Sequence, residues 1–254
     1  MLNSRTLSLI LFQTDAELSV EAERTYAGYL WWVVEPIVSM AIYFLVFGVL
    51  FKRGTPDYVP FLFVGLIPWR WLSGSVQRGA SSILNARSLM QQVYLPKIVL
   101  PTVSILSNAF KFLIVFLILI TYLMIEGYRI STAYFALPLV IVAGLLWISA
   151  LTFVFAAVVP FFPDLRIILD NMLRLVFFVS GIFFELRTMT PEHQSLLRLN
   201  PFAVLVEAFR DILLRGNWPL WEPLLLGSAA SVIVIAVGWL WIARNDCIYP
   251  KLGY

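Results

Sequence analysis

Charge is scarce in this sequence. Asp, Glu, Lys and Arg make up 13% of its 254 residues, against about 25% in soluble domains. The shortage is local as well as general. No charged residue occurs from Ala133 to Val159 or from Pro223 to Ala243, and about 18 consecutive apolar residues suffice for a helix to cross a bilayer. A water-soluble globule is excluded. So is a β-barrel, whose strands alternate apolar and polar over about ten residues. Cysteine occurs once, at Cys247, which excludes an intrachain disulfide. Histidine occurs once, at His193, with no nucleophile motif beside it and no Cys/His cluster to hold zinc. The sequence has no Gly-x-x-x-x-Gly-Lys-Ser/Thr loop for cradling nucleotide phosphates. The net charge of +3 sits in loops and does not argue for nucleic acid.

What is there is apolar: 61% of the residues are hydrophobic and the mean hydropathy is +0.87. The pattern predicts an all-α integral membrane protein with six transmembrane helices, at Trp31–Phe51, Val59–Leu84, Ile98–Ile125, Ala133–Val159, Ile167–Phe184 and Pro223–Ala243. Residues 1–30 form an amphipathic segment, with Leu7, Ile10 and Leu11 on one helical face and a Thr14-x-x-Glu17 capping box opening a further stretch. One or two helices lying at the membrane interface are expected there. The apolar stretch Leu7–Phe12 is too short for the core of a cleavable signal peptide, so the first span is expected to remain. Residues 31–254 make up the six-span domain. Within it, Asn85–Lys97 is a polar link with a short helical pattern stopped by Pro96.

Between spans five and six, Asn200-Pro201 reads as an Asn cap with Pro at the first helical position, and Gly216 as the stop. Phe202, Leu205, Val206, Phe209 and Leu213 line one side of that helix, and Glu207, Arg210 and Asp211 the other. A second short helix is expected over 191–199. Over all loops the basic residues divide evenly, seven on each side, and leave the orientation open; with the Glu185–Glu222 segment set aside as a docked unit, seven against three put both termini in the cytoplasm.

Two features inside the spans carry candidate chemistry. Arg70, Arg78 and Lys111 are basic, and Glu35, Asp170 and Arg174 lie near span ends. Groups so placed are costly and face a bundle interior or a watery path. One reading is a route for an anionic or hydroxyl-rich substrate, with Arg70 and Arg78 holding a phosphate bidentately. The other is internal pairing with Glu35 or Asp170. Aromatic residues make up 15% of the chain. Trp31, Trp32, Trp69 and Trp71 cluster at span ends, and Tyr43, Phe44, Phe177, Phe178, Phe183 and Phe184 lie within spans. They read either as interfacial belts and packing or as a conduit lined with rings, on which sugars stack through their C–H faces.

Several motifs in order point to a family. These are Arg24-Thr25-Tyr26 with Gly28-Tyr29-Leu30-Trp31, Glu35-Pro36 and Phe47-Gly48, then Gly65-Leu66-Ile67-Pro68-Trp69. Val93-Tyr94-Leu95-Pro96-Lys97 with Leu100-Pro101 follows, and then Asn200-Pro201-Phe202 with Glu207-Ala208-Phe209-Arg210-Asp211. Over almost the whole chain the sequence resembles the transmembrane subunit of ABC exporters for bacterial capsular polysaccharide, O-antigen and teichoic acid. It departs from that family's usual pattern at the inserted Thr25 and in the order Pro163-Asp164-Leu165-Arg166.

The resemblance implies a multi-pass protein of the bacterial cytoplasmic membrane. It would work as a homodimer with two copies of a separate cytosolic ATPase, and would move a lipid-linked polysaccharide through a channel at the dimer interface. ATP and magnesium would sit on the ATPase, with no cofactor on this chain. Residues 85–95 would be the coupling helix that docks in the ATPase, through Asn85, Ala86, Leu89, Met90, Val93 and Tyr94. The substrate path would include Tyr43, Phe44, Trp69, Arg70, Arg78, Phe177, Phe178 and Phe183. Residues 190–216 would form exported-side gate helices, with Asn200, Pro201, Phe202, Glu207, Phe209 and Arg210. A permease for small lipophilic drugs and a secondary transporter or channel remain alternatives at this point.

Overall fold

The computed structural model describes residues 4–23, 26–46, 57–185, 187, 189–190, 192, 197 and 200–252. Among them the regular structure is helical. A segment with few polar side chains and no access to water must satisfy its N–H and C=O groups within itself, and a helix does so. α1 is Ser4–Glu23, α2 Trp31–Tyr43, α3 Tyr58–Ala80, α4 Ser82–Asn85 and α5 Arg87–Gln92. α6 is Val99–Ile125, α7 Leu137–Val158, α8 Leu165–Val179, α9 Pro201–Leu213 and α10 Trp221–Arg244.

Among the described residues, five stretches are long and apolar enough to cross a membrane: Gly28–Val46, Tyr58–Ala80, Val99–Ile125, Thr132–Val158 and Trp221–Arg244. The segment expected as span five is shorter. α8 has 15 residues, about 22 Å at 1.5 Å per residue, against about 30 Å of hydrocarbon. It stops where Ser180 Oγ donates back to the Val176 carbonyl and Gly181 takes a left-handed φ of 71°. Even so, α8 starts just after the α7 end that meets Tyr249 and finishes beside Arg210, at opposite ends of the bundle.

α1 is a single helix. Thr14 lies inside it and donates to the Ile10 carbonyl at 2.8 Å, so it does not cap a new start. α1 runs along the first half of α6, where Glu17 accepts from Ser107 and Glu21 from Lys111.

The core is α3, α6 and α7, with α9 and α10 packed on it. Trp71 of α3 stacks on Phe112 of α6, with ring centroids 4.1 Å apart. Small residues let the backbones approach, as membrane helices require. A Cβ at Gly79 of α3 would come 2.2 Å from Thr152 of α7, and one at Gly238 of α10 would come 2.9 Å from Phe153 of α7. α2 and α8 are peripheral. α2 buries no residue, and α8 buries only Leu169 and Leu173.

Replacing Gly79 by Leu or Gly238 by Val overpacks α7. Each should cost roughly 1–3 kcal/mol, read as a lower thermal-unfolding midpoint in detergent. Gly74, whose Cβ would meet nothing within 4 Å, should accept Ala unchanged or with a gain of about 0.5–1 kcal/mol.

Candidate functional site

α2, α3 and α6, with the end of α1, enclose a cavity of about 330 Å³. It is lined by the cations Arg70, Arg78 and Lys111 and the carboxylates Glu21 and Glu35. Arg70 pairs with Glu35 and donates to Ser39 Oγ at 2.9 Å. Arg78 lies 3.2 Å from Glu21, which also accepts from Lys111. The Lys111 ammonium sits 5.5 Å from the centre of the Trp32 ring. Internal pairing is thus what the structure shows for both arginines. Arg70 takes Glu35, one of the two expected partners, and Arg78 takes Glu21, which the sequence did not suggest. Burial works to raise the Glu21 carboxyl, but Lys111 and Arg78 outweigh it and hold the group below the usual carboxylate range. Tyr43 lines the same cavity. Phe44, one residue on, is about half exposed on the outside of the bundle.

The other expected path residues gather on a different side of α3. Trp69 meets Phe177 at 5.5 Å and Phe202 at 5.6 Å between ring centroids, and Phe183 meets Phe177 at 5.1 Å and Phe178 at 6.0 Å. Trp69 and Phe202 are buried, while Phe178 is 62% exposed. The expected path is therefore split, with rings on the α8 side of α3 and charges on the α2 side.

α9 begins and ends as its sequence demands. Asn200 accepts from the Phe202 N–H at 3.0 Å, Pro201 is the first helical residue, and Gly216 has a left-handed φ of 68°. Its packing corrects an expectation. The side carrying Glu207, Arg210 and Asp211 reads from the sequence as a charged, solvated face, yet Arg210 and Asp211 are buried. The Arg210 guanidinium donates to the carbonyls of Gly181 (2.6 Å), Ile182 (2.9 Å) and Phe61 (3.3 Å) and lies over the Phe61 ring. Asp211 and Glu207 join Arg215 at 2.7 and 2.6 Å, with Arg187 and Glu185 completing the network. Burial pushes the Asp211 carboxyl up despite these arginines. The helix expected over 191–199 falls largely outside the described residues, as do His193, Arg24, Thr25, Phe47 and Gly48.

At the opposite end of the bundle, the expected helix over 85–95 is two pieces. α4 ends at Asn85, Ala86 departs from helical geometry, and α5 follows for six residues. Val93 is already extended, as the approach to Pro96 favours. The expected apolar stripe is therefore divided. Met90 is buried, Ala86 is half-buried, and Leu89, Val93 and Tyr94 are exposed, Tyr94 by 76%. The chain's tail completes this surface, which the sequence reading missed because the tail is short and polar. The buried Lys97 donates its backbone N–H to Asp246 Oδ1 at 3.0 Å and pairs with the same carboxylate through its ammonium at 3.6 Å. The Asp246 charge pushes the Tyr94 phenol up. Tyr249 donates to the Ala157 carbonyl at 3.1 Å.

Long apolar helices closed by small residues, with ionisable groups paired between them, define a polytopic helical membrane protein. The chain belongs to the ABC-2 type transporter family, which it matches over residues 16–214. It is a membrane transport subunit and not an enzyme. The chain is 32% identical over 93% of its length to the O-antigen export system permease protein RfbA of Myxococcus xanthus, covering 90% of that protein. It is 23% identical over 97% of its length to the RfbA of Klebsiella pneumoniae, covering 92% of it. To the polysialic acid transport protein KpsM of Escherichia coli it is 29% identical, over 74% of each chain. Such permeases are inner-membrane proteins, and this chain is one.

Arg210→Gln leaves buried carbonyls without a donor, at about 1–3 kcal/mol for each group orphaned. Arg210→Lys should not rescue, because an ammonium lacks the planar fork that reaches separate acceptors. Both variants should show a lower unfolding midpoint and lower membrane yield than wild type.

Proposed function

We propose that the chain is the membrane subunit of an ATP-driven exporter of lipid-linked polysaccharide, of capsule or O-antigen type. The observation that carries this reading is the near full-length similarity to a protein named for O-antigen export. In this reading two copies meet through their peripheral helices, α2 and α8. Both leave apolar surface uncovered, including Ile37 and Ile42 on α2 and Ile168, Met172 and Phe178 on α8. A long glycan needs a continuous passage, and a seam between two subunits supplies one where a single packed bundle does not. The ring cluster around Phe177, Phe178 and Phe183 would line it. Sugars gain less on such rings than the roughly 1–3 kcal/mol of a stacked nucleobase, so a polymer is guided without being trapped. α9 closes the exported end as a packed part of each subunit, with Asn200, Pro201, Phe202, Phe209 and Arg210 anchoring it and Glu207 in the network at its mouth.

Two cytosolic ATPase subunits supply ATP and magnesium, and this chain holds no cofactor. They dock on the exposed side of the Asn85–Tyr94 segment, where Leu89, Val93 and Tyr94 offer apolar anchors. Both termini lie on that cytoplasmic side, and bilayer lipid covers the remaining apolar surface.

A deletion strain tests the reading. Lipid-linked glycan should accumulate inside the cytoplasmic membrane, and an unchanged glycan distribution would sink the assignment. In complementation, Leu89→Asp with Tyr94→Asp should restore membrane protein but neither export nor co-purification of the ATPase. Met90→Asp should lower the protein level itself, since that side chain is buried. Phe178→Ala should reduce export at normal protein level, and export equal to wild type would remove this ring from the path.

A further inference from the structure

The geometry points to a phosphate site on α3 and α6, built from Arg78 and Lys111, that Glu21 of α1 occupies and holds shut until a phosphorylated lipid-linked cargo displaces it. This deepens the export reading and rests on it.

The cations stand on core helices and the carboxylate on a helix at the edge. Arg78 and Lys111 stand on α3 and α6, the helices joined by the Trp71–Phe112 stack. Lys111 is well inside a 27-residue apolar helix and mostly buried. An ammonium there is costly unless something anionic meets it. The group that meets it comes from the edge of the fold. Glu21 lies in the last turn of α1, which rests along α6 and buries only Ile10 and Ala22 among its apolar residues.

One carboxylate faces two cations. Glu21 Oε2 accepts from Lys111 and from Arg78 at 3.2 Å. A phosphate ester or diphosphate carries more charge and more oxygens, and a guanidinium beside an ammonium suits it better than it suits a single carboxylate. Asn108, Gln77 and Ser73 add polar groups around the same space.

The position of Glu21 also decides access. Glu21 and Arg78 line the 330 Å³ cavity beside α2, and they also line a second space of about 690 Å³ that reaches Asn85, Ala86 and Leu89. The end of α1 is the wall between the two. Moving it aside joins them, opens a way from the α5 end towards Arg70, and leaves Arg78 and Lys111 for the incoming anion. A phosphate could come from the cargo's linker or from ordinary phospholipid. The pairing of two cations favours the doubly charged linker over a singly charged phosphodiester.

The test uses the full chain in phosphatidylcholine nanodiscs, with spin labels at Asp15→Cys on α1 and Leu113→Cys on α6 and with Cys247→Ser. The probe is hexadecyl diphosphate. The label distance should lengthen as the probe is added, and Glu21→Gln should need roughly five- to tenfold less probe. That gain cannot arise from misfolding. Lys111→Gln should lose the response and Lys111→Arg should keep it. A distance that stays constant at every probe level, or equal probe affinity for Glu21→Gln and wild type, overturns the proposal. A response to phosphatidylglycerol equal to that for the diphosphate assigns the site to bulk lipid and overturns the cargo assignment. Glycan accumulation in the deletion strain reads the export reading separately, so the two can fail independently.

Discussion

Arg210 is the point on which one end of this fold depends. Its guanidinium joins three segments that the sequence separates widely: the start of α3 at Phe61, the turn after α8 at Gly181 and Ile182, and its own helix, α9. The Gly181 and Ile182 carbonyls lie in a turn with no ladder partner, and in an apolar setting each must be met, while the Phe61 carbonyl, already in the α3 ladder, accepts a further bond. One side chain meets all three. α3 makes room for it, because a Cβ at Gly65 would come 2.9 Å from the guanidinium. The shortness of α8 follows from the same place. A longer helix would carry Gly181 and Ile182 into its own ladder, and the fork would lose its acceptors.

The fold is also unequal in how firmly its parts are held. α3, α6 and α7 interlock through rings and close backbone approaches, whereas α1, α2 and α8 lie against this core with few buried residues. The charges follow that division. Arg70, Arg78 and Lys111 belong to the interlocked helices, and Glu35 and Glu21 to the peripheral ones. Each of these ion pairs is a seam between an interlocked helix and one that buries few residues.

Much of this was legible in the sequence. Ala133–Val159 and Pro223–Ala243 announce helices by their lack of charge, and Asn200-Pro201 with Gly216 brackets α9 because caps and left-handed turns are local chemistry. What could not be read was the depth at which α9 sits. Glu207, Arg210 and Asp211 look like a solvated face, since periodicity records which residues share a side and not what covers it. Here the cover consists of carbonyls over Arg210 and of the Arg187 and Arg215 side chains over Asp211 and Glu207, which sequence patterns do not display. The Glu21–Lys111 contact was hidden for a similar reason. The two residues are distant in the chain, and the Thr14-Glu17 pattern suggested a helix break where α1 is continuous. The division of the Asn85–Tyr94 stripe was partly foreseeable from Pro96, which draws the chain into extended geometry before it.

The tail at the other end of the bundle gives the Arg87–Lys97 segment a second attachment. Lys97 leads directly into α6, while its backbone and ammonium both hold Asp246, just beyond α10. Tyr249, three residues on, is bonded to the last turn of α7. A displacement of α5 therefore does not travel along one helix. It is split as by a yoke, with α6 drawn through the peptide chain and α7 and α10 through a carboxylate and a phenol, so that three of the long helices take up the same stroke together.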